Sequence, residues 1–81
     1  MKKIIYFSDP CCSPCKTLGP IVDSLSSTIN VEKINVDNDQ VQSAKYNVRN
    51  VPTLILVENG LEKNRLIGLQ TAEKILSLYH G

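Results

Sequence analysis

Apolar residues along this chain alternate between short continuous runs and helical spacing. Lys3 to Phe7 is a run of isoleucine and aromatic residues stopped by Asp9-Pro10, and it predicts a buried strand. Leu18, Ile21, Val22, Leu25 and Ile29 then follow the spacing of one helix face. That helix is expected to begin near Cys12 or Ser13. Pro14 suits a first turn, whereas Pro20 lies inside the pattern and predicts a kink, because it removes an amide donor and crowds the preceding turn. Val31 to Val36 reads as a second strand. Asp37, Asn38 and Asp39 supply turn and capping side chains, and Val41, Ala44, Lys45 and Val48 mark the inward face of a short second helix. Asn50 and Val51 lead into Pro52. Thr53 to Val57 is a strongly apolar strand, Asn59-Gly60 a hairpin turn, and Glu62 to Ile67 the returning strand, ended by Gly68. Thr71 starts a last helix with Ala72, Ile75, Leu76 and Tyr79 facing inward.

The predicted order is β-α-β-α-β-β-α, an α/β arrangement in which helices cover the faces of a sheet. No linker, repeat or low-complexity tract interrupts the 81 residues, so one domain spanning residues 1–81 is expected. With 42% of residues apolar, a packed core is feasible.

Charge adds mainly exclusions. Nine Lys and Arg stand against eight Asp and Glu, and they are spread along the chain. This leaves no electrostatic footprint for nucleic acid or an anionic membrane. Lys2 and Lys3 ahead of Ile4 to Phe7 look like the start of a signal segment. The apolar run stops at Ser8, short of the roughly 7–15 residues a signal core needs. Nothing approaches the roughly 20 apolar residues of a membrane span. The expectation is a soluble, cytoplasmic protein in a reducing compartment.

That setting changes how the cysteines read. All three lie within Cys11 to Cys15, too close together to staple distant parts of a fold. In a cytosolic chain such crowding points to redox chemistry or metal binding. A zinc site lacks its second pair, and the only histidine, His80, is one residue from the C-terminus, so no metal or other cofactor is expected. Cys12-Ser13-Pro14-Cys15 sits where a strand ends and a helix begins. Residues three apart share a helix face, so a Cys12–Cys15 disulfide is reachable. At the helix N-cap, Cys12 meets unpaired amides and the positive end of the dipole, which favour its thiolate. Pro14 offers no amide, which leaves that of Cys15 as the donor to the Cys12 sulfur. Cys15 is expected to be more buried and less acidic. Cys12 therefore attacks a substrate disulfide and Cys15 resolves the mixed disulfide.

At these residues the chain resembles the thioredoxin family. Cys12-Ser13-Pro14-Cys15-Lys16 is similar to the family's Cys-Gly-Pro-Cys-Lys. Lys33-Ile34-Asn35-Val36-Asp37 resembles its central strand, and Ala44 to Leu54 resembles the stretch around its cis-proline. Asn59-Gly60 and Gly68 fall where the family places a hairpin turn and a late glycine. The resemblance runs from about Lys3 to Leu78. It implies a thioredoxin-like fold with a four-stranded mixed sheet flanked by three helices. It also implies a cis Val51–Pro52 bond, which the residues alone would leave as an ordinary strand-entry proline. Val51 and Pro52, with Ser13 and Pro14 between the cysteines, are implied to contact substrate, the Val51 backbone pairing with it like an added strand.

Departures from the family pattern are equally specific. The extra N-terminal strand and helix of full-length thioredoxins are missing, so the chain resembles a minimal, glutaredoxin-sized form. Tyr6 stands where the family has a buried carboxylate assigned to proton transfer. Cys11 stands where it has tryptophan, and the chain contains no tryptophan. Cys11 reads either as a small residue without a role or as a third redox thiol, and a Cys11–Cys12 disulfide is disfavoured by strain. Lys16 reads as a solvated lysine or as an aid to the thiolate, and Tyr46 and Arg49 as packing and surface residues.

The expected activity is reduction of protein disulfides, with a thioredoxin reductase or glutathione as electron source and a monomeric protein. A glutathione-coupled glutaredoxin is the alternative enzyme, although Ser13-Pro14 replaces the usual Pro-Tyr and Gly68 is followed by Leu69 rather than a second glycine. A thioredoxin-fold binding subunit of a partner enzyme is the non-enzymatic alternative.

Overall fold

The two most continuous apolar runs of the chain become the two central strands. In the computed structural model, which describes residues 1–81, β1 (Lys2–Ser8) and β3 (Thr53–Glu58) lie in the middle of a four-stranded sheet. β2 (Val31–Asn35) and β4 (Leu61–Ile67) form its edges, giving the order β2-β1-β3-β4. β1 runs parallel to β2 and antiparallel to β3, and β4 returns antiparallel to β3. The element order is completed by α1 (Ser13–Leu25), α2 (Gln40–Lys45) and α3 (Ala72–His80). This is the mixed sheet with three helices that the sequence led us to expect.

Central strands are buried on both faces, which is why they carry apolar residues at successive positions instead of alternating. Ile4, Tyr6, Leu54 and Leu56 point to one face. There they meet Leu18 and Val22 of α1 and Ile75 and Leu78 of α3. Ile5, Phe7, Ile55 and Val57 point to the other face, joined by Ile34. Asn59 and Gly60 both have positive φ, 54° and 82°, as a tight two-residue hairpin turn requires. A register shift opposite Leu56 and Val57 leaves Lys63 as an extra residue on β4, a bulge at the sheet edge.

Two positions depart from the periodicity. Ile29 continues the α1 spacing, yet the helix ends at Leu25. The Ser26 and Ser27 hydroxyls donate to the carbonyls of Asp23 and Ser24, drawing the chain into a turn, and Ile29 reaches the core from outside the helix. Val41 was expected on the inward face of α2, but it is 78% exposed and no α2 residue is buried. The helix has six residues and a side-chain cap at Asp39, and it is fastened at its end instead. Tyr46 stacks at a tilt on Phe7, with ring centroids 6.1 Å apart, and Arg65 Nη2 donates to the Tyr46 carbonyl at 2.7 Å. Val48, expected on that helix, packs on the same face of the sheet from the loop that follows. This loop runs directly to Val51 and Pro52, so the fastening of α2 also positions one side of the site.

Candidate active site

The cysteine segment is held from both ends. β1 delivers the chain to Asp9, whose side-chain oxygen accepts from the Cys11 amide at 2.8 Å and whose carbonyl accepts from the Cys12 amide at 3.1 Å. This Asx turn places Cys12 at the N-cap of α1, with extended backbone (φ −91°, ψ 115°). The Cys15 amide donates to Cys12 Sγ at 3.2 Å, the bond anticipated from the absence of an amide at Pro14. Cys12 and Cys15 stand at disulfide distance, their Cα atoms 5.2 Å apart. Cys12 is half-buried, whereas Cys15 is buried, with 7% exposure. Cys11 is a free, exposed thiol.

The second wall comes from residues far away in sequence. The Val51–Pro52 peptide bond is cis, and the Val51 carbonyl oxygen lies 3.6 Å from Cys12 Sγ. Thr53 is buried, and its hydroxyl donates to the Asn50 carbonyl at 2.6 Å, closing the loop on itself. The Gly68 amide donates to the Pro52 carbonyl at 2.9 Å, which brings the end of β4 beside Pro52. Gly68 has φ 91°, a backbone conformation that a side chain would strain.

These contacts assemble one mouth: a capped dithiol, with a proline loop against its outer sulfur. The family model for thioredoxin matches residues 1–80. The chain belongs to the thioredoxin family. Thioredoxin of Chlamydia caviae is 35% identical over 78 residues, covering 93% of this chain and 76% of that relative. Thioredoxin of Rickettsia typhi is 38% identical over 77 residues, covering 90% and 73%. Among solved structures, a point mutant of thioredoxin from Halobacterium salinarum superposes with a TM-score of 0.90 at 33% identity, covering 98% of this chain and 72% of that one. With its Cys12–Cys15 pair, this thioredoxin-family protein is a dithiol thiol–disulfide oxidoreductase. Neither a glutathione-coupled glutaredoxin nor a thioredoxin-fold binding subunit of a partner enzyme is favoured by these relatives.

Within this thioredoxin-family site, Ser13 and Pro14 are exposed at the start of α1, and Val51 is half-buried across from them. The residues singled out from sequence are thus brought together, although Cys12 and Val51 are 39 positions apart. Ile67 and Leu69, 55% and 54% exposed, flank the glycine bonded to Pro52, and sequence reading overlooked them. Their signal was available: two large apolar residues on either side of a strand-ending glycine. Lys33 pairs with Asp23 at 2.7 Å on the surface and Arg49 is exposed. Behind the dithiol, Tyr6 is 1% exposed, and its hydroxyl donates to the Cys15 carbonyl at 3.2 Å. Burial raises the Tyr6 phenol above its ordinary value, with a side-chain hydrogen bond to Ser8 opposing and the charge of Asp23 adding to it, so the ring stays neutral. Groups of histidine, cysteine and carboxylate able to hold a metal ion are absent, and no helix is long and apolar enough to cross a membrane.

Proposed function

We propose that this protein reduces disulfides of other proteins in the cytoplasm, acting as a monomer and a single domain over residues 1–81. Cys12 is the attacking thiol and Cys15 the resolving one. The observation that carries this division is the Cys15 amide pointing at Cys12 Sγ, at a helix N-cap where the neighbouring position is proline. Only the outer sulfur of the pair receives that donor, and only the outer sulfur is open enough to meet a protein substrate.

The reaction runs in two exchanges. The Cys12 thiolate attacks one sulfur of the substrate disulfide, forming a mixed disulfide and releasing the other substrate sulfur as a thiolate that takes a proton from water. Cys15 then loses its proton to water and attacks Cys12 Sγ. The Cys12–substrate bond breaks, the Cys12–Cys15 bond forms, and the second substrate sulfur leaves and is protonated. The dithiol gives up two electrons and two protons, and the substrate disulfide takes up both. A flavin-dependent thioredoxin reductase or glutathione restores the dithiol.

Substrate docks on Ser13, Pro14, Val51 and Pro52. Supporting this, Val51 lies outside every strand and its amide and carbonyl take part in no backbone hydrogen bond, the carbonyl meeting only Cys12 Sγ, so the backbone here is open to pairing with an extended segment. Ile67 and Leu69 extend the apolar rim that the missing tryptophan would otherwise supply.

Turnover of a protein disulfide with dithiothreitol tests the reading. Cys12→Ser is expected to abolish it. Reduced Cys15→Ser, mixed with the substrate after dithiothreitol is removed, is expected to accumulate a mixed disulfide through Cys12, visible as an adduct on a non-reducing gel. Equal turnover in wild type and both variants would sink the dithiol mechanism, and an adduct on Cys15 in Cys12→Ser with none in Cys15→Ser would reverse the roles.

A further inference from the structure

Tyr6 and Cys15 carry the only titratable side chains among the buried residues, and the Tyr6 hydroxyl bonds the Cys15 backbone carbonyl. Nothing in the exchange chemistry uses the phenol. Its position nonetheless bears on both sulfurs. The Cys15 residue is gripped twice: its amide donates to Cys12 Sγ at 3.2 Å, and its carbonyl accepts from Tyr6 Oη at 3.2 Å. Because Pro14 has no amide, the first of these is the only bond from the α1 first turn to the Cys12 sulfur. The direction of that amide depends on how firmly Cys15 is held.

The helix holds this turn with one ladder bond fewer than usual. Pro20 inside α1 has no amide, so the Lys16 carbonyl, one residue beyond Cys15, lacks its partner in the helical ladder. The first turn is thereby partly uncoupled from the rest of α1 just where the two cysteines sit. Tyr6 ties it to the sheet instead. Its ring is fixed in the core cluster with Leu18 and Leu54, on a strand paired on both sides. A hydroxyl held by such a ring is a rigid anchor.

We propose that Tyr6 is the positioning residue of the dithiol: its hydroxyl anchors the first turn of α1 to β1, aiming the Cys15 amide at Cys12 and holding Cys15 ready to close the disulfide. A cleft of about 260 Å³ runs past the same point, lined by Tyr6, Asp9, Cys15, Lys16 and Lys33 among others. It opens to solvent beside the Cys15 residue, and water there is the acceptor for the proton lost at closure. The charged groups around the pair are Asp9 before α1, Lys16 and Asp23 on α1 and Lys33 on β2. β3, packed against β1, begins with uncharged Thr53. A Tyr6→Phe replacement leaves all of these in place and removes one oxygen.

This inference rests on Cys12 being the attacking thiol, and the experiment separates the two. Reduced wild type, Tyr6→Phe and Tyr79→Phe are alkylated across pH with iodoacetamide, the first modified cysteine is identified by mass, and closure of a preformed mixed disulfide is timed. Loss of the hydroxyl is expected to raise the Cys12 thiol pKa by about half a unit, leaving roughly threefold less thiolate at pH 7, and to slow closure roughly 2- to 10-fold. Tyr79→Phe, whose hydroxyl bonds the distant Lys2 carbonyl, is expected to match wild type in both. Should Tyr6→Phe fail to fold, fluorotyrosine placed at position 6 in a Tyr46→Phe, Tyr79→Phe background supplies a more acidic, stronger donor. It is expected to lower the Cys12 pKa and speed closure. First modification at Cys12 with wild-type titration and closure in folded Tyr6→Phe, or no response to fluorination, overturns the role of Tyr6 alone. First modification at Cys15 overturns the attack order and this inference with it.

Discussion

Arg65→Met tests whether one side chain on an edge strand holds the far side of the active site. Methionine keeps the apolar stem of arginine while removing its charge and donors. Three bonds are lost: two at 2.6 Å to the Glu62 carboxylate and one at 2.7 Å to the Tyr46 carbonyl. The ion pair is only partly shielded, with side-chain exposures of 27% and 32%, and solvent holds its contribution to about 0.5 kcal/mol. A hydrogen bond from a charged group is worth about 1.5–3 kcal/mol when shielded, and partial exposure brings the Tyr46 bond to about 1 kcal/mol. The expected loss is therefore about 1.5 kcal/mol, or roughly 6–12 °C in Tm for a domain of this size. Urea denaturation of wild type, Arg65→Met, Glu62→Gln and the double variant separates the pair from the Tyr46 bond.

The same contacts give the variant a pH signature. The hydrogen bond from Arg65 lowers the Glu62 carboxyl below its ordinary range, with burial opposing and the arginine charge assisting. A carboxyl with a depressed folded pKa contributes stability that is complete above its unfolded value, about 4.3, and that fades as pH falls through the folded one. The stability gap between wild type and Arg65→Met should thus be widest at neutral pH and narrow below about pH 4.3. Because Tyr46 leads through Val48 to Val51, the variant is also expected to raise KM for a protein disulfide more than it lowers kcat. A stability loss under about 0.3 kcal/mol with no change in acid slope would refute the assignment of this fastening to Arg65.

Other outcomes follow from single contacts. Leu18→Ala removes a fully buried side chain where α1 packs on the sheet, and it should cost about 3–5 kcal/mol by chemical denaturation, enough to leave much of an 81-residue domain unfolded. Thr71→Ala deletes the side-chain cap that accepts from the Lys74 amide at 3.2 Å; the expected cost is about 1 kcal/mol, with α3 amides exchanging faster and the dithiol chemistry unchanged. Gly60→Ala forces a β-carbon into φ 82° and should cost about 1–2 kcal/mol, read as a lower urea midpoint at constant slope. Leu69→Ser thins the apolar rim beside Pro52, and it should raise KM for a protein disulfide severalfold while leaving turnover of a small disulfide unchanged.

What local spacing encodes was legible in the chain. Ile4 to Phe7 and Thr53 to Val57 announced central strands, because burial on both faces demands apolar residues at every position. Asn59-Gly60 announced its turn through the positive φ that such residues tolerate cheaply, and Cys12 announced its cap through the helix whose first turn holds Pro14. The dithiol itself is local too, since three residues at a helix start bring two sulfurs together. Periodicity failed where the chain stopped being periodic. Ile29 kept the helical count after serine hydroxyls had ended the helix, and Val41 kept it on a helix too short to bury a face. The rest depended on which distant groups the sheet brings side by side. Val51 beside Cys12, Gly68 under Pro52, Arg65 on Tyr46 and Tyr6 against Cys15 are each a pairing of residues from separate segments of the chain. Such pairings are set by the path of the whole chain, so the sequence by itself determined the reactive sulfurs, and only the tertiary structure decided what aims them and what substrate surface they face.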